Sequence, residues 1–303
     1  MTTYDVLVVG GGAAGLGAAV TLGRARRSVL VVDAGEPRNG PAEGVHGYLG
    51  LDGINPKKLL ATGREEVERY GGIVATGEVV AVSGSRDAFV ARMASGEEIT
   101  ARRLLITTGL VDELPDIPGL RERWGRDVVH CPYCHGWEVQ DEPIGVLASS
   151  PRSAHQAMLF RQWSDDVTLF LNETLTLSAE DRAKLDARGI AVMAGKVNRL
   201  VVQDDQLAGV QLADGSVVPR TVVTVGPRFV ARSALLTSLG VELVEHPMGV
   251  GEYVDADPMG QTTVPGVFVA GNVSDLMAQV VTAAAAGVKA AGAINADLLG
   301  LLD

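Results

Sequence analysis

Cysteine is nearly absent from this sequence: of 303 residues only two are cysteines, and both fall in one hexapeptide, CPYCHG, from Cys131 to Gly136. So small a supply excludes a fold held together by several disulfides. It also leaves a structural zinc site, which takes four ligands, short of donors, because His46, His130, His155 and His246 show no H-x₃₋₅-H spacing among themselves. Basic residues are outnumbered as well, 26 Lys and Arg against 37 Asp and Glu, for a net charge of −11. That balance argues against nucleic acid, whose phosphates need a basic surface, and against adhesion to anionic membranes. Long hydrophobic runs are missing too. The N-terminus, MTTYDVLVVGGG, has no basic leader and its apolar run stops at glycine, so no signal peptide is read there. The weakly polar stretch 278–302 is alanine-rich and interrupted by Lys289, Asn295 and Asp297, the pattern of a buried helix rather than a membrane span. A cytoplasmic protein acting on small molecules or on another protein is expected. Covalent haem attachment at C-x-x-C-H happens outside the cytoplasm, so what remains is a redox dithiol or two buried thiols placed together by chance.

What the sequence does have is apolar material for two cores, 47% hydrophobic residues, and a glycine-rich opening. A β-forming run, Tyr4 to Val9, leads into GGGAAG from Gly10 to Gly15, a helical stretch to Arg24, and a second strand, SVLVVD, ending at Asp33. The first glycine permits the tight turn after the strand, Gly12 lets backbone approach a pyrophosphate, and Gly15 lets helix pack on strand. The helix N-terminus then faces the phosphates, and the acid closing the second strand can take the ribose hydroxyls. This is a dinucleotide site, and FAD fits it at least as well as NAD.

A pattern then repeats. AFVARMASGEEITARRLLITTG ends at Gly109 and LAGVQLADGSVVPRTVVTVG ends at Gly226, each with two alternating strands around a turn and then a buried strand. Two dinucleotide-type domains are expected. The second has one candidate for its own strand-loop-helix unit, PIGVLASSPRSAHQAMLFRQWSDDVTLFLNE, and that candidate is degenerate. Ala148, Ser149, Ser150 and Pro151 stand where glycines belong, and no arginine pair follows VTLFLNE. Near the C-terminus, VPGVFVAGNVSDLMAQVVTAAAAG reads as a strand from Gly266 to Ala270, a turn at Gly271-Asn272 and a helix from about Ala278, whose amides could face a flavin edge. Asn55-Pro56 reads as an N-cap followed by proline at the first helical position, which requires no functional explanation.

GGGAAG, TTG at the end of the first strand set, a mid-chain CxxC and GVFVAGNV followed by AQVVTAAAAG together resemble the low-molecular-weight thioredoxin reductases and their flavoprotein relatives. CPYCHGWE, with histidine after the second cysteine, resembles the dithiol oxidases that close gliotoxin-type and holomycin-type disulfides. Four departures separate the sequence from the reductase pattern: His135 for aspartate, ASSP for glycines, LFLN for an HRR-type clamp, and Asn272 for the acid of a GD pair. The resemblance implies an α/β protein of two Rossmann-like, three-layer ββα dinucleotide-binding domains, with the second nucleotide site degenerate. An FAD domain would be built discontinuously from 1–113 and 239–303. The domain carrying the CxxC would be inserted as 114–238, with DELPDIPGL and SLGVEL at the crossings, and the protein would be a homodimer.

For FAD the resemblance implies contacts from Gly10, Gly12, Ala13, Ala14, Gly15, Asp33, Ala34, Arg38, Asn39, His46, Val79, Thr108, Gly109, Gly271, Asn272, Gln279 and Val280. It implies catalytic roles for Cys134 against the flavin, for Cys131 in exchange with substrate, and for His135 as acid and base. His130 is read as structural, and Tyr133 and Trp137 are expected to pack. Three functions follow. The first is oxidation of a small dithiol with dioxygen as acceptor. The second is reduction of thioredoxin or a small disulfide by NADPH or another donor. The third is a flavin-binding redox-sensing module that binds a partner.

Overall fold

The structure is a computed structural model that describes residues 3–302. Contacts divide the chain into two compact units, Met1–Val111 with Phe229–Asp303, and Asp112–Arg228.

The first unit opens with β1 (Thr3–Val9), α1 (Ala13–Arg24), β2 (Val29–Asp33), α2 (Pro56–Arg69), β3 (Ile73–Thr76), β4 (Val79–Ser83), β5 (Phe89–Met93), β6 (Glu98–Ile106) and the start of β7 (Leu110–Glu113). Its sheet runs β3-β2-β1-β6-β5-β4. Alternate residues of β1 supply two cores, as a strand buried on both faces must. Val6 and Val8 pack with α1, and Leu7 and Val9 pack with Phe89, Ala91 and Ile106 on the other side. Along one edge β6 pairs parallel with β1 from Thr3↔Thr100 to Val9↔Ile106, and along the other it pairs antiparallel with β5 through Glu98–Ala101 and then parallel with Val267–Val269 through Leu104–Ile106. As the sequence implies, Asn55 caps α2, its Oδ1 accepting from Lys57 N at 3.0 Å ahead of Pro56.

The second unit holds α3 (Leu120–Arg123), β8 (Val128–Val129), α4 (Pro132–His135), β9 (Ile144–Leu147), α5 (Ser153–Phe160), β10 (Val167–Phe170), α6 (Ala179–Asp186), β11 (Ala191–Met193), β12 (Val197–Gln203), β13 (Gln206–Leu212), β14 (Val217–Pro219) and β15 (Val222–Val225). A parallel sheet ordered β11-β10-β9-β15-β8 packs α5 and α6 on one face and the antiparallel β12-β13-β14 sheet on the other. This is the layering of the first unit on a smaller scale. Here, however, the stretch that runs unbroken as β6 in the first unit is split into β14 and β15, because Pro219 ends β14 without an N–H to continue a ladder.

The chain then completes the first unit with β16 (Arg228–Ala231), α7 (Ala234–Ser238), β17 (Leu243–Glu245), β18 (Gly251–Val254), β19 (Val267–Val269), a 3₁₀ turn (Gly271–Val273) and α8 (Val280–Leu298). The return crossing therefore comes ten residues before the 238/239 boundary expected from sequence. Residues 229–238 belong to the first unit because α7 buries Leu235 and Leu236 in the core that holds Val79 and Val82. Helix α8 also starts two residues later than read. The Asn272 side chain donates to Ala278 O at 3.0 Å, and Gln279 stays extended as the cap. Among the described residues no helix is long and apolar enough to cross a membrane.

Helix α8 carries one acid inside the core. Asp297 is ion-paired to Arg103, which is only 2% exposed, and to Arg86 at 2.7 Å. Asp297→Ala would leave the Arg103 guanidinium buried beside its remaining partner Asp87. A loss of about 3–5 kcal/mol in urea unfolding is expected. Restoring stability with Arg103→Met in the Asp297→Leu background checks that the cause is the stranded charge.

Candidate functional site

The candidate site has two parts in different units, and each is built separately. In the first unit, Gly10 turns the chain out of β1 with φ +108°, a conformation that side-chain-bearing residues rarely adopt. Thr107 Oγ1 lies 2.8 Å from Gly10 O and 3.1 Å from Val9 O, tying the turn to the end of β6. A Cβ on Gly15 would fall 2.0 Å from Gly10 O, so the first turn of α1 closes on the loop only with glycine there. Gly12, by contrast, faces open space, with nothing within 4 Å of where its Cβ would be. It is also the N-cap of α1 and makes no side-chain cap bond, so the leading amides of Ala13 and Ala14 remain available to an anion.

A second helix N-terminus stands beside this one. Helices α1 and α8 pack closely because Gly287 lets Ala14 O approach to where a Cβ would be 2.0 Å away. Gln279 caps α8 without a side-chain bond, Val280 follows as its first residue, and Gly271 packs on Ala14. Arg38 reaches Asn272 Oδ1 at 3.5 Å and lies over the Phe229 ring, 5.1 Å from its centroid. The loop bearing His46 is closed by Val45 N to Ile54 O at 2.8 Å. The carboxyl of Asp52 is held below the usual carboxylate range, chiefly by the Gly47 N–H at 2.8 Å and then by His46, whose Nδ1 is 3.5 Å away. Gly47 faces Gln279, with its Cβ position 3.6 Å from Oε1.

Most of the residues implied for FAD therefore gather here, and the cradle fits it: two uncapped helix starts, open space over Gly12, and Asp33 at the end of β2. Three of these positions also have partners within the protein. Asp33 accepts from Gly11 N at 3.1 Å and is ion-paired to Arg64 of α2, so both carboxylate oxygens already have partners. The Thr108 hydroxyl donates its proton to Arg232 O at 2.6 Å, and the residue holding the glycine turn is Thr107. The Val79 side chain lies in the core, which leaves only its backbone for a ligand. Ala34 is exposed, Asn39 O closes a turn with Ala42 N, and Gly109 O accepts from Arg232 N at 2.9 Å. Thr107, Arg64 and Gly287 were missed from sequence; Thr107 had a signal as the first threonine of TTG and Gly287 as the closing glycine of AQVVTAAAAG, whereas Arg64 had none.

In the second unit, Cys131 and Cys134 form a disulfide with Cα atoms 5.2 Å apart. Cys131 caps the one-turn helix α4, Pro132 takes its first position, and Cys134 N and His135 N both point to Cys131 O, at 3.2 and 3.1 Å. Both cysteines and His135 are half-buried. Tyr133 and Trp137, one helical turn apart, are 66% and 70% exposed rather than packed away, although Tyr133 meets Trp163 edge-on.

The loop after β9, where a second nucleotide would bind, is internally closed. Ser153 Oγ accepts from Ser149 N at 3.1 Å and from Ser150 N at 3.4 Å, and Ser149 Oγ donates to Gly226 O at 2.6 Å. Amides that a phosphate would use are thus taken by a serine of the same loop, and the hydroxyl of another bridges the mouth of the sheet.

Comparison with known proteins agrees with this architecture. The family described as Pyridine nucleotide-disulphide oxidoreductase matches residues 4–287. A protein of Leptosphaeria maculans named thioredoxin reductase sirT is 31% identical across 98% of this chain and 95% of its own length. The crystal structure of HlmI superposes with a TM-score of 0.92 and 50% identity, covering 99% of this chain and 93% of that one. An oxidoreductase from Agrobacterium tumefaciens superposes at 0.93 with 38% identity over 99% of each chain. The chain belongs to the pyridine nucleotide-disulphide oxidoreductase family and has the fold of its thioredoxin reductase-like, FAD-binding members.

Proposed function

We propose that the protein is an FAD-dependent dithiol oxidase that closes an intramolecular disulfide in a small dithiol, with dioxygen as the final electron acceptor. The observation that carries this reading is the closed loop after β9. The cysteine pair and the first glycine loop are intact, while amides a nicotinamide dinucleotide would need donate to Ser153 and the Ser149 hydroxyl ties the loop to Gly226 O. A reductase fed by NADPH needs that loop open, whereas an oxidase fed by its thiol substrate does not.

The residues then divide the work. One substrate thiolate attacks Sγ of Cys131, the protein S–S bond breaks, and Cys134 leaves as a thiolate. The second substrate thiolate attacks the substrate sulfur of the mixed disulfide, releasing Cys131 and a cyclic disulfide, so two electrons have passed to the cysteine pair. His135, the residue after Cys134, accepts a substrate thiol proton. Tyr133 and Trp137 offer exposed aromatic faces beside the disulfide for the apolar frame that holds the two thiols. FAD, when bound, supplies the two-electron acceptor for the reduced pair and the donor for dioxygen, giving hydrogen peroxide.

Air-saturated enzyme given dithiothreitol and no nicotinamide should form one peroxide per cyclic disulfide; thiol consumption that stops after one enzyme equivalent would refute the reading. His135→Ala should lower kcat/KM about 10²-fold near neutral pH. Its pH profile should then move up toward the ionisation of the substrate thiol, because no imidazole takes the proton. A profile parallel to wild type would return His135 to a structural role.

A further inference from the structure

We propose that α5 and the turn after it form the seat of the dithiol, and that Gln156 and Trp163 are positioning residues that set how readily the Cys131–Cys134 disulfide is reduced. This rests on the redox reading of the pair, not on the identity of the final acceptor.

The segment from His130 to Glu142 is held at both ends and in the middle by residues 156–164. Upstream, Gln156 Nε2 donates to the carbonyl of His130, the residue immediately before Cys131, at 2.9 Å. In the middle, the Trp163 indole lies under Gly136, where a Cβ would come within 2.7 Å of two ring carbons and 2.4 Å of Pro132 O. The same ring meets Tyr133 at 6.1 Å between centroids and 83° between planes, and it is backed by the fully buried Phe160 at 6.3 Å. Downstream, Trp163 O accepts from Asp141 N at 2.8 Å, and the buried Ser164 donates to Glu142 O at 2.6 Å.

The seat is itself fixed. Ala154, Ala157 and Phe160 of α5 lie in the core with Ile144 and Val146, and the loop entering the helix is closed by Ser153. A helix that opens a nucleotide site elsewhere in such folds here does something that needs no nucleotide.

Stability of a disulfide relative to its two thiols follows how closely the backbone keeps the sulfurs together, an effective-concentration effect. Freeing either arm of the CxxC turn gives conformational freedom to the reduced form, which is not constrained by the S–S bond. Loss of the Gln156 bond or of the indole support therefore favours the dithiol. In the test reaction the disulfide takes two electrons and two protons from dithiothreitol, which closes to its cyclic disulfide.

The FAD-loaded protein would be equilibrated without oxygen in graded mixtures of reduced and oxidised dithiothreitol, and Cys131 and Cys134 thiols counted by alkylation and mass. Gln156→Leu and Trp163→Leu are each expected to lower the equilibrium constant for disulfide formation about tenfold, about 30 mV for a two-electron couple. Gly136→Ala, whose Cβ would press on both the indole and Pro132 O while both side chains, Gln156 and Trp163, are kept, should shift the same way. Trp163→Phe should restore most of the wild-type value, and Gln162→Leu, on an exposed neighbour, should leave it unchanged. Melting temperatures identify variants that fail to fold, and Gly136→Ala and Trp163→Phe keep the comparison readable if Trp163→Leu is among them. Wild-type equilibrium constants in folded Gln156→Leu and Gly136→Ala would overturn the proposal. A wild-type pair that does not titrate with dithiothreitol at all would overturn it together with the redox reading, and the two failures are thereby told apart.

Discussion

Serine at either Cys131 or Cys134 is expected to abolish dithiol oxidation, with a loss of at least about 10³-fold in kcat, and the double substitution should be no worse than either single one. The reason is that neither sulfur acts alone. Cys131 without Cys134 can form a mixed disulfide only by first finding an oxidant, and Cys134 without Cys131 offers substrate no disulfide to attack. Residues that work as a unit show this non-additivity. The serine hydroxyl is close to the thiol in size, and both positions are half-buried on a one-turn helix, so the fold should tolerate the change. Oxygen consumption with dithiothreitol is the measurement. Activity retained in both single variants would remove the dithiol from the mechanism.

Gly12→Val is expected to lower FAD affinity about 100-fold or more while leaving the apoprotein close to wild type in stability. Gly12 has φ −76° and ψ −175°, extended backbone that valine adopts freely, and nothing lies within 4 Å of where a Cβ would be. The folded chain therefore loses only the small preference for glycine over valine at an N-cap. A pyrophosphate approaching the amides of Ala13 and Ala14 would meet the new methyl groups instead, and two charge-assisted hydrogen bonds are worth about 3 kcal/mol or more. Gly15→Val is the contrasting variant, because its Cβ would strike Gly10 O within the protein itself. It should lose both FAD and stability. Flavin fluorescence titration and apoprotein melting separate the two, and a destabilised Gly12→Val apoprotein with normal FAD affinity would contradict the assignment of the cradle.

The parts of the fold legible in the sequence are those written locally. The run from Tyr4 to Asp33 alternates and punctuates itself within thirty-odd residues, and β1, α1 and β2 fall where the pattern puts them. The Asn55-Pro56 cap is equally local. The start of α8 was misplaced because Asn272, six residues upstream, holds Ala278 O out of the helix, a side-chain choice no periodicity reports. The return crossing was misplaced for a related reason. SLGVEL was put at the crossing through the family resemblance, and only tertiary packing shows that Leu235 and Leu236 just before it, and Val241 within it, belong to the first core.

For the candidate site, the glycines and the CxxC were readable because their chemistry depends on residue type at fixed spacing. Arg64 on Asp33, separated by 31 positions, and Gln156 on His130, separated by 26, were not, since arginine and glutamine carry no signal of the partner they will meet. ASSP was readable as a loss of glycine. That Ser153 would turn back to fill the vacated amides was not, because the same serine would serve equally well facing solvent.

The central claim is that electrons enter from a thiol and not from a nicotinamide, and an anaerobic mixing experiment tests it most directly. The purified yellow protein is mixed without oxygen with NADPH, and separately with dithiothreitol, while flavin absorbance near 450 nm is followed before air is admitted. The account predicts bleaching by the dithiol alone and recovery in air with peroxide formed. Rapid bleaching by NADPH would contradict it, because the loop from Ser149 to Ser153 would then be able to open and hold a nucleotide.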